Sequence, residues 1–199
     1  MPKIDKFDLI GLLQEHGAIL NGHFQIPTGY HTQIYIQPSM VLQYPHLANK
    51  IAKALASKFP MDIDVVLSPS VGAMALGQEV ARVKLARSIF TERINGTLVL
   101  KRKFKIHQGE KVLIVDDVFN SGKRCSEAAA LARDCGAKVI GIAALVDRST
   151  GDLGFNIPIR SLLSYPLELF RPEDCPLCRQ KIPLTVPGVS ETESGTSDK

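Results

Sequence analysis

The sequence contains no tryptophan, and its aromatic residues amount to only 6%. Proteins that grip single strands stack bases on aromatic side chains, so little here serves that purpose. No run of five or more Lys/Arg occurs and the net charge is a modest +4, which argues against a dedicated nucleic-acid face and suits small anionic ligands. The longest apolar run, "VIGIAALV", has about eight residues, whereas a membrane-spanning helix needs roughly 20. The N-terminal "MPKIDKFDLIGLLQEHG" carries charges throughout and reads as an amphipathic helix rather than a secretion signal. In a chain of this size without a secretion signal, the four cysteines at 125, 135, 175 and 178 read as reduced thiols of a cytoplasmic protein rather than a disulfide framework. No Gly-x-Gly-x-x-Gly follows an apolar strand. The "SGKR" at 121–124 is not a P-loop, since Asp117 stands where the first glycine belongs and Arg124 where Ser/Thr belongs.

What the chain does have, at 199 residues and 45% hydrophobic content, is enough apolar material for one core. Spacing predicts a helix over 3–16 closed by Gly17, a hairpin over 22–37 around a Thr-Gly turn, and a helix starting near Pro45 with Leu47, Ile51 and Leu55 on one face. Then strands and helices alternate. "DVVLS", "ARSIFTE", "KVLIVDD" and "KVIGIAALVD" are strands; "GAMALGQEVARVK" and "KRCSEAAALARDC" are helices; Asn95-Gly96 marks a hairpin in a basic connection. Continuous apolar strands separated by helices imply an α/β fold with a mainly parallel central sheet flanked by helices. The last residues, 190–199, are small and polar and read as disordered.

The stretch "VLIVDDVFNSGKR" (112–124) carries the chemistry. In a parallel sheet, ligands bind beyond the carboxyl ends of strands, where Asp116 and Asp117 fall. The next helix begins near Lys123 and turns its open N–H groups to the same crevice, a setting for phosphate. Lys123 and Arg124 in a first helical turn oppose the helix dipole at about 0.3–1 kcal/mol each, a balance that a docked anion reverses. The plainer readings are cations pointing into water and a solvated strand end or helix cap. Two adjacent carboxylates suit a vicinal diol, and diol plus phosphate describes a ribose 5-phosphate.

These residues resemble the PRPP-binding motif of the type I phosphoribosyltransferases. Within that family the chain is similar to the orotate phosphoribosyltransferases, through "GHFQIPTGYHTQIYIQPSMVLQYPHLA", "LSPSVGAMALGQEVAR", "ALVDRSTG" and "EDCPLCRQKIPLTVPG". The resemblance implies that fold, as one domain over 1–189 with a small hood from about 1–40 and 165–189. It implies transfer of the phosphoribosyl group from PRPP to orotate, giving orotidine 5′-monophosphate and pyrophosphate, in a homodimer that uses Mg²⁺ held mainly by PRPP.

It implies site residues as well. Asp116 and Asp117 would hold the ribose hydroxyls, and Val118, Phe119, Asn120, Ser121, Gly122, Lys123 and Arg124 the rest of PRPP. Ser70, Val71 and Gly72 would offer backbone donors to pyrophosphate. Thr28, Gly29, Asn120 and Arg148 would contact orotate. Arg93, Lys101, Arg102, Lys103 and Lys105 belong to a loop closing over PRPP, partly on the neighbouring subunit, with Lys101, Arg102, Lys103 and Asp117 as catalytic candidates. Asn120 replaces a usual Thr, and Arg124 a usual small residue. Other readings stay open: a different nucleobase, or a non-catalytic PRPP-sensing regulator. The Cys175-x-x-Cys178 pair reads as a packing or turn element, a metal site shared across a dimer, or a redox pair, and His23 and His31 as polar structural residues beside the turn.

Overall fold

The computed structural model describes residues 8–26, 28–151, 153–166 and 168–187. In chain order the elements are α1 (Leu9–Glu15), β1 (Ile19–Gln25), β2 (His31–Ile36), α2 (Ser39–Leu42), α3 (Pro45–Ala56), β3 (Val65–Ser68), α4 (Val71–Lys84), β4 (Arg87–Ile94), β5 (Thr97–Leu100), β6 (Lys111–Phe119), α5 (Lys123–Asp134), β7 (Lys138–Asp147), β8 (Ile159–Ser164) and α6 (Pro176–Arg179). Among the described residues no helix is long and apolar enough to cross a membrane.

The chain forms two compact units, Met1–Ala18 with Pro38–Pro166, and Ile19–Gln37 with Leu167–Lys199. The first is a six-stranded sheet in the order β5-β4-β3-β6-β7-β8. All neighbours are parallel except β4 and β5, which the Asn95-Gly96 turn joins as an antiparallel hairpin. Apolar runs on β3, β6 and β7 are continuous because both faces are covered. Val65, Leu67, Val112, Ile114, Ile142 and Ala144 pack with Cys125, Ala128, Ala129 and Ala132 of α5. The alternate residues Val66, Leu113, Val115, Ala143 and Leu145 are fully buried too. Successive strand residues point to opposite faces, so these lie on the side where α4 reaches β6 and α3 reaches β7 and β8. Each fully buried aliphatic side chain stabilises by about 1.5–3 kcal/mol relative to an exposed one.

One helix start and some whole elements differ from expectation. Helix α1 begins at Leu9, because Asp8 caps it by accepting a hydrogen bond from the Gly11 N–H at 2.9 Å; residues 3–7 lie outside the described residues, as does the 190–199 tail. Strand β8, "IRSLLS", is an addition that no alternation in the sequence announced.

The second unit is the antiparallel β1–β2 hairpin with the C-terminal segment laid along it. Gln25 N–H donates to Thr185 O, Thr185 N–H to His23 O, and His31 and Phe170 exchange both backbone bonds. Its buried apolar side chains among the described residues are only Phe24, Ile36, Cys175 and Leu177.

Candidate active site

From β3 the chain leaves for β4 on one side, and from β6 for β7 on the other. The adjacent carboxyl ends of β3 and β6 are therefore a topological switch point, where an open α/β sheet leaves a crevice. Two helices start there, α4 after Ser70 and α5 after Gly122. The first N–H groups of each have no partner within their own helix and attract anions.

Asp116 and Asp117 end up in different environments, for the reason that governs all strands. Asp116 shares the face of Ile114 and lies under α5, 2% exposed. Its Oδ2 accepts from the Cys125 thiol at 3.5 Å and lies 3.6 Å from the Arg124 guanidinium. Its Oδ1 accepts from Ser70 Oγ at 3.2 Å and from the Asp117 N–H at 3.2 Å. Burial, followed by the Asp117 charge, pushes its carboxyl up to about 7, against the pull of Arg124. Burial beside Asp116 likewise pushes the Cys125 thiol up. Asp117, on the opposite face, stays partly open beside the α4 start. A Cβ added at Gly72 would lie 2.6 Å from Asp117 Oδ2, so only glycine allows this approach. Of the two carboxyls expected at the ribose, Asp116 is buried and Asp117 is partly exposed. Ser70 links the pieces: its Oγ caps α4 by accepting from Ala73 N–H at 3.3 Å while donating to Asp116.

The loop after β6 turns sharply at Gly122, φ 73°. A side chain there would strike Phe155 and Phe119 at 2.7–2.9 Å. Ser121, Gly122, Lys123 and Ser126 line a cleft of ≈ 470 Å³ closed on one side by Phe155. Val118 and Phe119, expected among the ligand contacts, bury their side chains at 8% and 1% exposure. Arg124 lies 3.6 Å from Asp116 and 3.5 Å from the Val118 carbonyl while staying partly exposed; Lys123 and Asn120 are exposed as well.

The basic loop divides likewise. Arg93 is held by Glu127 and the Gly96 carbonyl. Arg102 pairs with Glu92 at 2.9 Å and lies over the Phe90 ring. Lys101 and Lys103 are exposed, with no ion pair among the described residues. Arg102 and Lys103 both have positive φ, 54° and 60°, each costing roughly 1–2 kcal/mol.

Arg148 follows β7, is 8% exposed, and donates its N–H to Phe119 O at 2.8 Å, beside the end of β6. Thr28 and Gly29 occupy the β1–β2 turn of the second unit. That unit also holds a grouping that spacing alone did not reveal: His23, His31, Cys175 and Cys178, with one donor atom of each within 4.8 Å of the others. The two histidines and the C-x-x-C are each visible in the sequence, but some 150 residues separate them, and only the chain path joins them.

Residues 32–154 match the family model for the phosphoribosyl transferase domain. Among curated proteins the chain is similar to the orotate phosphoribosyltransferase of Caldicellulosiruptor bescii, 42% identical over 93% of this chain and 98% of that one. It is 38% identical to that of Thermotoga maritima over 89% of this chain and 95% of the other. Among solved structures, orotate phosphoribosyltransferase from Aeropyrum pernix shares the fold with a TM-score of 0.66 at 21% identity, over 78% of this chain and 93% of that one. Adenine phosphoribosyltransferase from Rhodothermus marinus shares it at 0.58 and 22% identity, over 78% and 99%. The chain therefore belongs to the phosphoribosyltransferase family, grouping there with the orotate phosphoribosyltransferases.

Proposed function

We propose that the protein transfers the 5-phosphoribosyl group of PRPP to orotate, releasing pyrophosphate and forming orotidine 5′-monophosphate, as a cytoplasmic homodimer. The observation that carries this reading is the pairing of one accessible carboxylate, Asp117, with two helix N-termini at the β3–β6 switch point. Asp117 accepts hydrogen bonds from the ribose hydroxyls. The backbone of 120–124 and the start of α5 take the 5-phosphate, with Lys123 adding charge. Ser70, Val71 and Gly72 direct their N–H groups to the pyrophosphate. Asn120 and Arg148 lie at the ends of the adjacent strands β6 and β7. Arg148 suits the orotate carboxylate through its planar fork.

Cleavage at the anomeric carbon leaves positive charge on the sugar and negative charge on pyrophosphate. The donor set at the crevice, one half-buried carboxylate rather than an all-protein cage, fits a Mg²⁺ that keeps its waters and is shared with substrate phosphates. When bound, Mg²⁺ neutralises charge developing on the leaving group. Lys101, Lys103 and Lys105, exposed and free of ion pairs among the described residues, are cations available to the site of a partner protomer. Closure of their loop excludes water and so spares PRPP from hydrolysis.

The test is an ultraviolet assay of orotate with PRPP and Mg²⁺. Orotate is consumed by the wild type, and Asp117→Asn lowers kcat/KM by at least about 10²-fold, the scale of losing one transition-state contact. Adenine consumed in place of orotate overturns the choice of base. Folded protein that binds PRPP without turnover points to the regulator instead.

A further inference from the structure

The second unit is poorly equipped to hold itself together by apolar burial. A two-stranded hairpin is marginal alone in water, and three carbon side chains, Phe24, Ile36 and Leu177, with one thiol are all the apolar groups it buries among the described residues. Polar donors occupy its centre instead. His23 is 2% exposed, His31 4% and Cys175 0%.

The sequence achieves this by a local irregularity. Asn21 pairs with Ile34 and Phe24 with Thr32, so Gly22 and His23 together oppose Gln33 as a β-bulge. The bulge lets His23 and Phe24, which are adjacent, both turn inward. His31 begins β2 across from it. From the far end of the chain, Cys175 and Cys178 sit three apart around the single turn of α6.

The spacing of the donors is informative. His23 Nε2 lies 3.0 Å from His31 Nδ1, 3.5 Å from Cys175 Sγ and 3.6 Å from Cys178 Sγ. Cys178 Sγ lies 3.3 Å from His31 Nδ1. A tetrahedral Zn²⁺ with its usual bond lengths gives edges of about 3.3 Å between nitrogens and about 3.5 Å between nitrogen and sulfur. The other nitrogen of His23, Nδ1, lies 2.8 Å from the Ile182 carbonyl. A proton on Nδ1 satisfies that carbonyl and leaves Nε2 with its lone pair aimed at the cluster, the usual outer arrangement of a zinc-bound histidine.

We propose that His23, His31, Cys175 and Cys178 bind one structural Zn²⁺ that fastens the C-terminal segment to the β1–β2 hairpin. Binding replaces the two thiol protons, which leave to solvent. Two thiolates, two neutral imidazoles and Zn²⁺ sum to zero charge, which a largely buried centre accommodates. Four protein donors complete a tetrahedron, so the ion has no open position for substrate. It is separate from the Mg²⁺ chemistry and does not depend on the proposed activity.

The experiment is metal analysis of the intact protein, purified without chelators or added zinc, together with cobalt titration of the metal-stripped protein. About one zinc per chain is expected for a closed four-ligand site, and cobalt should give the intense visible absorption of a tetrahedral dithiolate centre. Cys175→Ser/Cys178→Ser should lose the zinc and that spectrum. Protein free of zinc whose wild-type form also yields no tetrahedral cobalt spectrum overturns the proposal. So does a Cys175–Cys178 disulfide in protein prepared under reducing conditions, which would make the pair a redox element. The cobalt titration uses wild-type protein, so the result does not hinge on whether the variant folds.

Discussion

Asp116 concentrates the physical tension of the site in one residue. It is buried, adjacent to a second carboxylate, and balanced by Arg124 at 3.6 Å, by Ser70 and by the Cys125 thiol. Its folded-state value of about 7 lies above the ordinary 3.8, so between these limits the native state holds more protons than the unfolded chain. By linkage, stability is greatest below about pH 4 for this group and declines as pH rises through about 7. Urea midpoints measured from pH 5 to 8 should therefore show a falling contribution in the wild type that is reduced in Asp116→Asn, whose amide stays neutral. Identical pH slopes would mean that the carboxylate is not penalised by its burial. The adjacent aspartates stand out in the sequence because two charges end an apolar strand. Their inequality does not, since it depends on which face α5 covers. Arg124 also faces an internal carboxylate, Asp116 at 3.6 Å, a contact that local sequence does not announce.

At the scale of elements, helix boundaries and parallel strands followed from local signals: Pro45 at a first turn, Asn95-Gly96 at a hairpin, Gly136 after α5. Where local signals are weak the reading failed. Strand β8 is half-buried without alternation; it exists because β7 offers it an edge. The end of α4 shows the converse. Leu85 closes the helix at φ 55°, 94% exposed, where glycine is the usual residue. Its left-handed conformation costs about 1–2 kcal/mol, of which glycine would return part after its own loss of about 0.5–1 kcal/mol in chain entropy. Leu85→Gly is expected to stabilise by roughly 0.5–1 kcal/mol, raising Tm by about 1–4 °C for a chain of this size. A lower melting temperature in calorimetry would show that the exposed leucine makes contacts worth more than the strain.

For the whole molecule, the chain closes its second unit with segments from opposite ends, 19–37 and 167–199. No window of sequence contains both, which is why the four-donor grouping escaped a reading based on spacing. The backbone of β1 and β2 draws partners from the C-terminal segment through Gln25–Thr185, Thr185–His23 and the His31–Phe170 pair. Without that segment the hairpin loses these backbone partners, and a two-stranded hairpin is marginal alone. The six-stranded sheet has its core in β3, β6, β7 and α5 and draws none of those bonds. Deleting residues 168–199 should therefore abolish hydrogen-exchange protection of the β1–β2 amides while leaving those of 112–118 and 142–146 slow, since local opening follows local contacts. Stripping the metal from the intact chain should speed exchange at the same β1–β2 amides, and zinc should restore them. Truncation that leaves β1–β2 fully protected would mean that the hairpin is held by something other than the C-terminal strap. A strap effect without a metal effect would assign the fastening to its backbone bonds alone.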